Sequence, residues 1–376
     1  MKRERKNKVK KVWKMTAALL LALLMLASAG CGGAPDTEGE PAESGGDEGP
    51  VASLKIGMAG KDIKTACIIV ASRLGYYDEE GVDVAFEKIS NLSEGLTAVD
   101  MGKLDVLPFG VIPSVTFVSQ GSDVVVFGGT ISEGSEIIGL PEAKGTVEKL
   151  EDFKGKKMGC YRMETGHMVM KGLLREAGYD PEKDMEFILL DSQQTIMEAV
   201  RKGDVDLGFL NSGQGYIAEQ AGLSVLNTVA GFESDFPCCR QTTSRKALDE
   251  KREGLVRFQM ANLRALETIR QDKEAALGAL MEYSGQPREY VEAVIYGLDG
   301  VYDSAMVISL DPNKKKVVDF YEIMRANGDI DPATEYKMED HVDATIYEDA
   351  LKAMISREPE NTLYTDLMEE FKTNNL

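Results

Sequence analysis

The chain has 376 residues, of which 43 are Lys or Arg and 63 are Asp or Glu, so its formal net charge is −20. This acidity argues against a nucleic-acid partner, because phosphate backbones attract basic surfaces. The length is sufficient for two domains with hydrophobic cores of their own.

The N-terminus has the three-part pattern of a secretory signal. Eight basic residues precede an apolar run from Met15 to Ala27, and Ser28-Ala29-Gly30 then leads to Cys31. The apolar run is shorter than the stretch of about 20 residues that spans a membrane. Ser-Ala-Gly-Cys resembles a bacterial lipobox, which implies that residues 1–30 are removed and that Cys31 carries a lipid. The alternative is a secreted protein in which Cys31 is an ordinary thiol.

Residues 31–50 are predicted to form a disordered acidic tether. Gly32–Pro50 contains six acidic residues, no basic residue and no large apolar side chain, so it cannot pack into a core. Without the signal, 35 basic and 62 acidic residues remain, a formal charge of −27. We expect the tether to let the folded part search the membrane surface for an embedded partner.

Two segments of the chain repeat one order of elements about one hundred residues apart. Each begins with a predicted strand, helix and strand, at 54–58, 65–74 and 82–89 in the first copy and at 157–161, 167–177 and 185–190 in the second. Ala98–Val106 and Ala199–Leu207 then both read as a helix end, a glycine and a strand. The repeat therefore predicts two β-α-β-α-β units.

Such units predict an α/β fold with two lobes, each a mainly parallel sheet flanked by helices, joined by two hinge strands around a cleft. In open α/β sheets the ligand lies beyond the carboxyl ends of the strands. The rest of the chain is predicted to be helical, at 247–274, 275–283, 289–296, 314–326 and 341–356. Asp311-Pro312 and Asp331-Pro332 are predicted helix starts, each with Asp as the cap.

Four segments carry a resemblance to a known family. They are Leu74–Val84 (LGYYDEEGVDV), Leu150–Gly159 (LEDFKGKKMG), Ala98–Val106 and Ala199–Leu207. They resemble the sulfonate-, nitrate- and taurine-binding class of solute-binding proteins of ABC importers, which has the type II periplasmic-binding-protein fold. The resemblance implies a discontinuous first lobe, residues 51–131 plus 232–376, and a second lobe, residues 132–231. It also implies that the lobes close on a solute and then dock on a transporter.

Loops at the strand ends supply the predicted ligand contacts. They are Met58, Thr65, Asn91, Phe109, Gly110 and Thr130 in the first lobe, Tyr161, Arg162, Glu164, Thr165, Gly166, His167, Gln193 and Asn211 in the second, and Arg240 on the returning strand. The family uses the loop equivalent to 165–167 to bind an anion, but Glu164 would oppose one here. Arg162 and Arg240 have the alternative role of ion pairs. The solute is thus either an oxyanion or a neutral or zwitterionic organic molecule.

The cysteines beyond the tether fit no zinc-binding spacing, and neither histidine is near the adjacent pair in sequence. These residues are Cys67, Cys160, Cys238, Cys239, His167 and His341. We therefore predict no metal site and no cofactor, and we expect the thiols to be buried and free.

Together these features predict a monomeric, non-enzymatic solute-binding lipoprotein on the outer face of the cell membrane. It would pass its solute, of the sulfonate, nitrate, taurine-like or pyrimidine-precursor class, to ABC permease and ATPase subunits. One alternative is an enzyme, since the superfamily includes proteins that build a thiamine pyrimidine from an active-site histidine, a role for which His167 is the candidate. The other alternative is a ligand-sensing module that signals through another chain.

Overall fold

The computed structural model of the protein describes residues 52–162 and 164–376. The predicted signal peptide, the tether and Cys31 lie outside the described residues. No helix within the described ranges combines the length and the apolar character needed to cross a membrane.

Strands and helices alternate in the first two thirds of the chain, and helices predominate afterwards. The strands are β1 (Ala52–Met58), β2 (Val82–Lys88), β3 (Val124–Ser132), β4 (Ser135–Gly139), β5 (Lys157–Tyr161), β6 (Glu186–Leu190), β7 (Leu207–Asn211), β8 (Ser224–Thr228), β9 (Pro237–Ser244) and β10 (Val307–Ile308). The helices are α1 (Ala66–Arg73), α2 (Tyr76–Glu79), α3 (Leu92–Asp100), α4 (Val111–Ser119), α5 (Gly166–Glu176), α6 (Gln193–Lys202), α7 (Gln214–Gln220), α8 (Arg245–Glu250), α9 (Arg252–Gln271), α10 (Lys273–Ser284), α11 (Arg288–Tyr296), α12 (Lys314–Asn327), α13 (Thr345–Arg357) and α14 (Thr362–Asn375).

The first copy of the repeat is built around β1. This strand pairs in parallel with β2 along its whole length, and Ile56 forms a parallel bridge to Val106, where the third strand was predicted. Leu54 and Ile56 are fully buried, because residues that alternate along a strand lie on the same face of the sheet. The first strand of the unit thus lies between the second and the third.

The second copy has the same order. Strand β5 lies between β6 and β7 and is parallel to both, which confirms the predicted parallel α/β arrangement. Two further strands extend this sheet, since β4 pairs antiparallel with β7 and β8 pairs antiparallel with β4. The repeat did not predict this extension, because antiparallel pairing of β4 depends on partners more than 60 residues away.

Two long strands connect the sheets. Strand β3 is buried throughout, pairs antiparallel with β9 and β10, and leads into β4 of the five-stranded sheet. Strand β9 returns the chain after β8. These strands lie where hinges were predicted, whereas the lobe boundaries themselves stay a prediction.

Three predicted helix boundaries in the C-terminal part are wrong. Helix α12 begins at Lys314 and is capped by Asn313, because the Asp311 carboxylate accepts hydrogen bonds from Asn313 N at 2.7 Å and from the side-chain amides of Asn374 and Asn375. Asp331-Pro332 forms a turn and starts no helix. The segment 247–274, predicted as one helix, contains the end of α8, the whole of α9 and the start of α10.

Candidate functional site

A cavity of about 350 Å³ lies where strands of both copies end. The first copy lines it with Ala59, Asp62, Lys64, Ser90, Asn91, Leu92, Ser93, Phe109 and Gly110; the second contributes Tyr161, Thr165 and Asn211, and β9 contributes Cys238 and Cys239. Most of these residues lie at or beyond the carboxyl ends of β1, β2, β5 and β7, which is the position that a ligand occupies in open α/β sheets.

Six of the predicted contact residues line this cavity: Asn91, Phe109, Gly110, Tyr161, Thr165 and Asn211. Asn91 also caps α3, since its side chain accepts a hydrogen bond from Glu94 N at 2.9 Å. The Gln193 side chain lies just behind the wall and accepts from Asn211 N at 2.9 Å. Gln193 therefore positions a lining residue.

The remaining predicted contacts lie outside the lining. Met58, Thr65, Thr130, Gly166 and His167 are buried in the packed interior, and Arg162 is exposed. The hydroxyls of Thr65, Thr130 and Thr165 have no hydrogen-bond partner among the described residues. Thr165 alone of these three reaches the cavity wall.

Arg240 is buried within the fold and does not line the 350 Å³ cavity. It is fully buried, and its guanidinium donates to the carbonyls of Pro312 and Ile131 at 2.9 Å and to the Ser132 hydroxyl at 3.2 Å. Burial lowers the pKa of Arg240, although the nearby Asp311 carboxylate opposes this change. The guanidinium joins β9, β3 and the Pro312 backbone, because its fixed fork of donors reaches all three.

Asp62 and Lys64 provide the charges of the cavity wall. Lys64 Nζ lies 3.8 Å from Asp62 Oδ2, and the Lys64 backbone N–H also donates to Asp62 at 2.8 Å. Burial lowers the pKa of Lys64, but Asp62 and the thiols of Cys239 and Cys238 outweigh it, so the pKa is raised. No other charged residue is among the described residues of this lining. The sequence predicted ligand contacts in the loop after β1 but did not single out Asp62 or Lys64.

Cys238 and Cys239 both face the cavity, although neighbouring residues in a regular strand point to opposite faces. The pairing of β3 with β9 shifts register between Ile131 and Ser132, so Cys238 is an extra residue in a bulge. The two sulfurs lie 3.8 Å apart. Their shared hydrogen bond lowers the pKa of Cys238 and, together with burial, raises that of Cys239. Sequence reasoning noted this pair but had no signal for the bulge.

Glu164 lies at the start of α5 with its carboxylate fully buried. Oε1 accepts a hydrogen bond from Gly166 N at 2.7 Å and from the Ser135 hydroxyl. Oε2 accepts from His167 N at 2.8 Å and lies 3.2 Å from His167 Nδ1. The His167 ring packs beside Phe209, with ring centroids 6.5 Å apart, and is not part of the cavity lining.

The structure has two further cavities of note, one beside the first cavity and one apart from it. A cavity of about 190 Å³ shares Asp62 and Lys64 with the first and adds Ser212, Gln214 and Tyr290. A larger one of about 520 Å³ lies between α5 and α12, away from the strand ends. Within residues 52–162 and 164–376, no group of three or more His, Cys, Asp or Glu residues could hold a metal ion. We take the 350 Å³ cavity as the candidate site, because both copies of the repeat contribute to it.

The sequence model of the family described as "NMT1/THI5 like" matches residues 62–276, which is more than half of the chain. The chain belongs to the NMT1/THI5-like family. The matched region of this NMT1/THI5-like protein includes every residue of the candidate cavity except Ala59.

Curated relatives of this NMT1/THI5-like chain are named 4-amino-5-hydroxymethyl-2-methylpyrimidine phosphate synthase. The protein from Schizosaccharomyces pombe is 28% identical over 142 residues, which are 38% of this chain and 39% of that protein. The protein from Legionella pneumophila is 25% identical over 146 residues, which are 38% of this chain and 45% of that protein. The chain thus matches less than half the length of these relatives.

Solved structures of binding proteins share the fold of this family member. The aliphatic sulphonate binding protein of Escherichia coli has a TM-score of 0.63 at 16% identity, with 79% of this chain and 99% of that chain covered. The nitrate-binding protein of Synechocystis PCC 6803 has a TM-score of 0.62 at 16% identity, with 80% and 89% covered. The ligand binding component of an ABC-type import system from Staphylococcus aureus, solved with zinc bound, has a TM-score of 0.61 at 15% identity, with 80% and 99% covered. The chain therefore has a periplasmic-binding-protein fold.

Proposed function

We propose that the protein is a solute-binding protein that captures a small organic molecule in the 350 Å³ cavity and delivers it to an ABC permease. The observation that carries this proposal is the convergence of strand ends from both copies on one cavity. Its volume falls in the range of about 300–1,000 Å³ typical of small-molecule sites. One similar solved structure is named as the ligand binding component of an ABC-type import system and another as an aliphatic sulphonate binding protein, and both names support this role.

The proposal includes a location and a way of closing. The signal pattern and Cys31 support a location on the outer face of the cell membrane, where a lipid and the tether of residues 31–50 would hold the folded part. Residues 51–131 plus 232–376 would form one lobe and residues 132–231 the other. Bending of β3 and β9, the two chain connections between the sheets, would close the lobes over the solute.

A second candidate function is synthesis of a pyrimidine. It is favoured by the names of the curated relatives and by Cys238 and Cys239, two potential reactive groups in the cavity wall. The position of His167 favours binding instead, because its ring is buried, contacts Glu164 and lies outside the lining. The two functions differ in one respect that can be measured, since an enzyme changes its solute and a carrier does not.

A thermal-shift screen of the purified protein tests the proposal. We expect one solute class to raise the melting temperature in a concentration-dependent way, because a ligand of the folded state stabilises it by about 2.7 kcal/mol at 100 times Kd. The screen would contain sulfonates, nitrate, amino-acid derivatives and pyrimidines.

Two tyrosine variants control the screen. Tyr161→Ala, in the cavity wall, should reduce the solute-induced shift, whereas Tyr336→Ala, on an exposed side chain elsewhere, should leave it unchanged. If no small molecule moves the melting temperature but a protein partner does, the sensing alternative replaces the transport proposal.

A further inference from the structure

We propose that Glu164 is a built-in anion that occupies the N-terminus of α5 and makes the site select against anionic solutes. The inference rests on the proposed solute-binding function and adds the charge class of the solute. It assigns a specificity-determining role to a residue that lies behind the cavity wall.

The first turn of α5 supplies the donors that an oxyanion would need. A helix N-terminus offers unpaired backbone N–H groups and a partial positive charge, and it is a common anion site. Here the N–H groups of Gly166 and His167 already donate to the two oxygens of Glu164, at 2.7 and 2.8 Å. The Ser135 hydroxyl donates to the same carboxylate. The two oxygens of a carboxylate have enough acceptor sites for all three donors.

Packing closes the space around this carboxylate. A Cβ on Gly166 would lie 2.2 Å from Ser135 Cβ, so the start of α5 packs tightly against the first residue of β4. Glu164 is fully buried, and its neighbour Thr165 lines the cavity. The backbone N–H groups of Gly166 and His167 are therefore not free for a second anion, and an anion in the cavity lies close to the buried Glu164 carboxylate.

The rest of the lining does not offset that charge. Lys64, the one cation among the described lining residues, already pairs with Asp62. Ser90, Asn91 and Asn211 provide neutral hydrogen-bonding groups, and Phe109 provides an apolar face. This lining fits an organic molecule with hydrogen-bonding groups and no net negative charge.

Substitution of Glu164 tests the inference with small anions as probes. In Glu164→Ala the donors of Ser135, Gly166 and His167 lose their acceptor, so sodium formate should raise the melting temperature of this variant by several degrees over sodium chloride at equal ionic strength. Wild type should show no such difference. Methanesulfonate should bind Glu164→Ala at least tenfold more tightly than wild type in isothermal titration calorimetry.

The control is Asp152→Asn. Asp152 also accepts hydrogen bonds from two backbone N–H groups, those of Glu148 and Lys149, but it is only half-buried and lies outside the cavity. This variant should show no formate-dependent shift and no gain in methanesulfonate binding.

Binding of nitrate or methanesulfonate to wild type as tightly as to Glu164→Ala would overturn the inference. If Glu164→Ala does not fold, the methanesulfonate affinities of Glu164→Gln and wild type are compared instead. The glutamine variant should then bind methanesulfonate more tightly than wild type, and equal affinity would contradict the inference. A different outcome separates the inference from the proposed function. If formate stabilises Glu164→Ala but no solute of any class stabilises wild type, the inference about Glu164 is supported and the proposed solute-binding function is contradicted.

Discussion

Glu136 is a buried carboxyl group that connects β4 to a distant part of the chain. Its side chain is only 2% exposed, it accepts a hydrogen bond from Gly215 N at 2.7 Å, and the Tyr302 hydroxyl donates to its other oxygen. Burial raises the pKa of Glu136 to about 7, although the hydrogen bonds from Tyr302 and Gly215 lower it. Desolvation is thus the dominant effect, because the low-dielectric interior penalises the charged form.

This raised pKa predicts how stability depends on pH. Between the ordinary value of 4.5 and about 7, the folded protein binds the Glu136 proton more tightly than the unfolded chain does. The stabilisation is fully present below pH 4.5 and is lost as the pH rises through 7, a change on the order of 3 kcal/mol. Glu136→Gln should therefore flatten the fall in unfolding free energy between pH 5 and pH 8.

Urea denaturation at the two pH values measures this difference. Glu186→Gln, which removes an exposed carboxylate from β6, is the control and should keep the wild-type dependence. A Glu136→Gln protein that loses as much stability as wild type between pH 5 and pH 8 would contradict the assignment.

At the scale of elements, the backbone of residues 309–311 packs closely against β3. Gly129 N donates to Leu310 O at 2.8 Å, and a Cβ at Gly129 would lie 2.5 Å from the carbonyl oxygens of Ser309 and Asp311. Because these atoms belong to backbone, they cannot move aside as the end of a flexible side chain can. Glycine is therefore required where this segment passes over β3.

Gly129→Ala should lower the unfolding free energy by about 1–3 kcal/mol, because the added methyl group overpacks the contact. Gly278→Ala is the matched control, since a Cβ there meets no atom within 4 Å and the residue lies inside α10. That variant should gain up to about 1 kcal/mol, because alanine favours a helix over glycine. Urea denaturation of both variants checks the pair, and equal stability of Gly129→Ala and wild type would contradict the close approach.

The elements and site positions that the sequence predicted are those with local causes. Alternation and helical spacing predicted β1, β5 and their helices, and Asn91 and Tyr161 follow strand ends that local pattern could locate. The structural contacts of Arg240 could not be predicted, because its partners Pro312 and Ile131 are 72 and 109 residues away.

Two further features depended on distant contacts. The inward position of both thiols required the bulge between β3 and β9, and the cap of α12 depended on asparagines more than 60 residues away. Local sequence pattern therefore predicts the strands and helices of this fold, whereas the details of the site depend on contacts between residues that are far apart in the chain.

At the scale of the whole molecule, the repeat explains how one chain forms a cavity that two sheets line. Each copy ends its parallel strands at one edge, and the paired strands β3 and β9 bring the two edges together around the 350 Å³ cavity. Neither copy provides the whole lining. A solute would therefore contact both halves at once and favour the arrangement in which they are closest.

The most direct test is recovery of the solute after binding. The protein would be incubated with the solute that stabilises it most, unfolded, and both components weighed by mass spectrometry. We expect to recover one solute per chain with its mass unchanged. The mass of the protein should also be unchanged, and His167 should be unmodified. A consumed solute or an altered His167 would show that the protein is an enzyme and would contradict the account of it as a carrier.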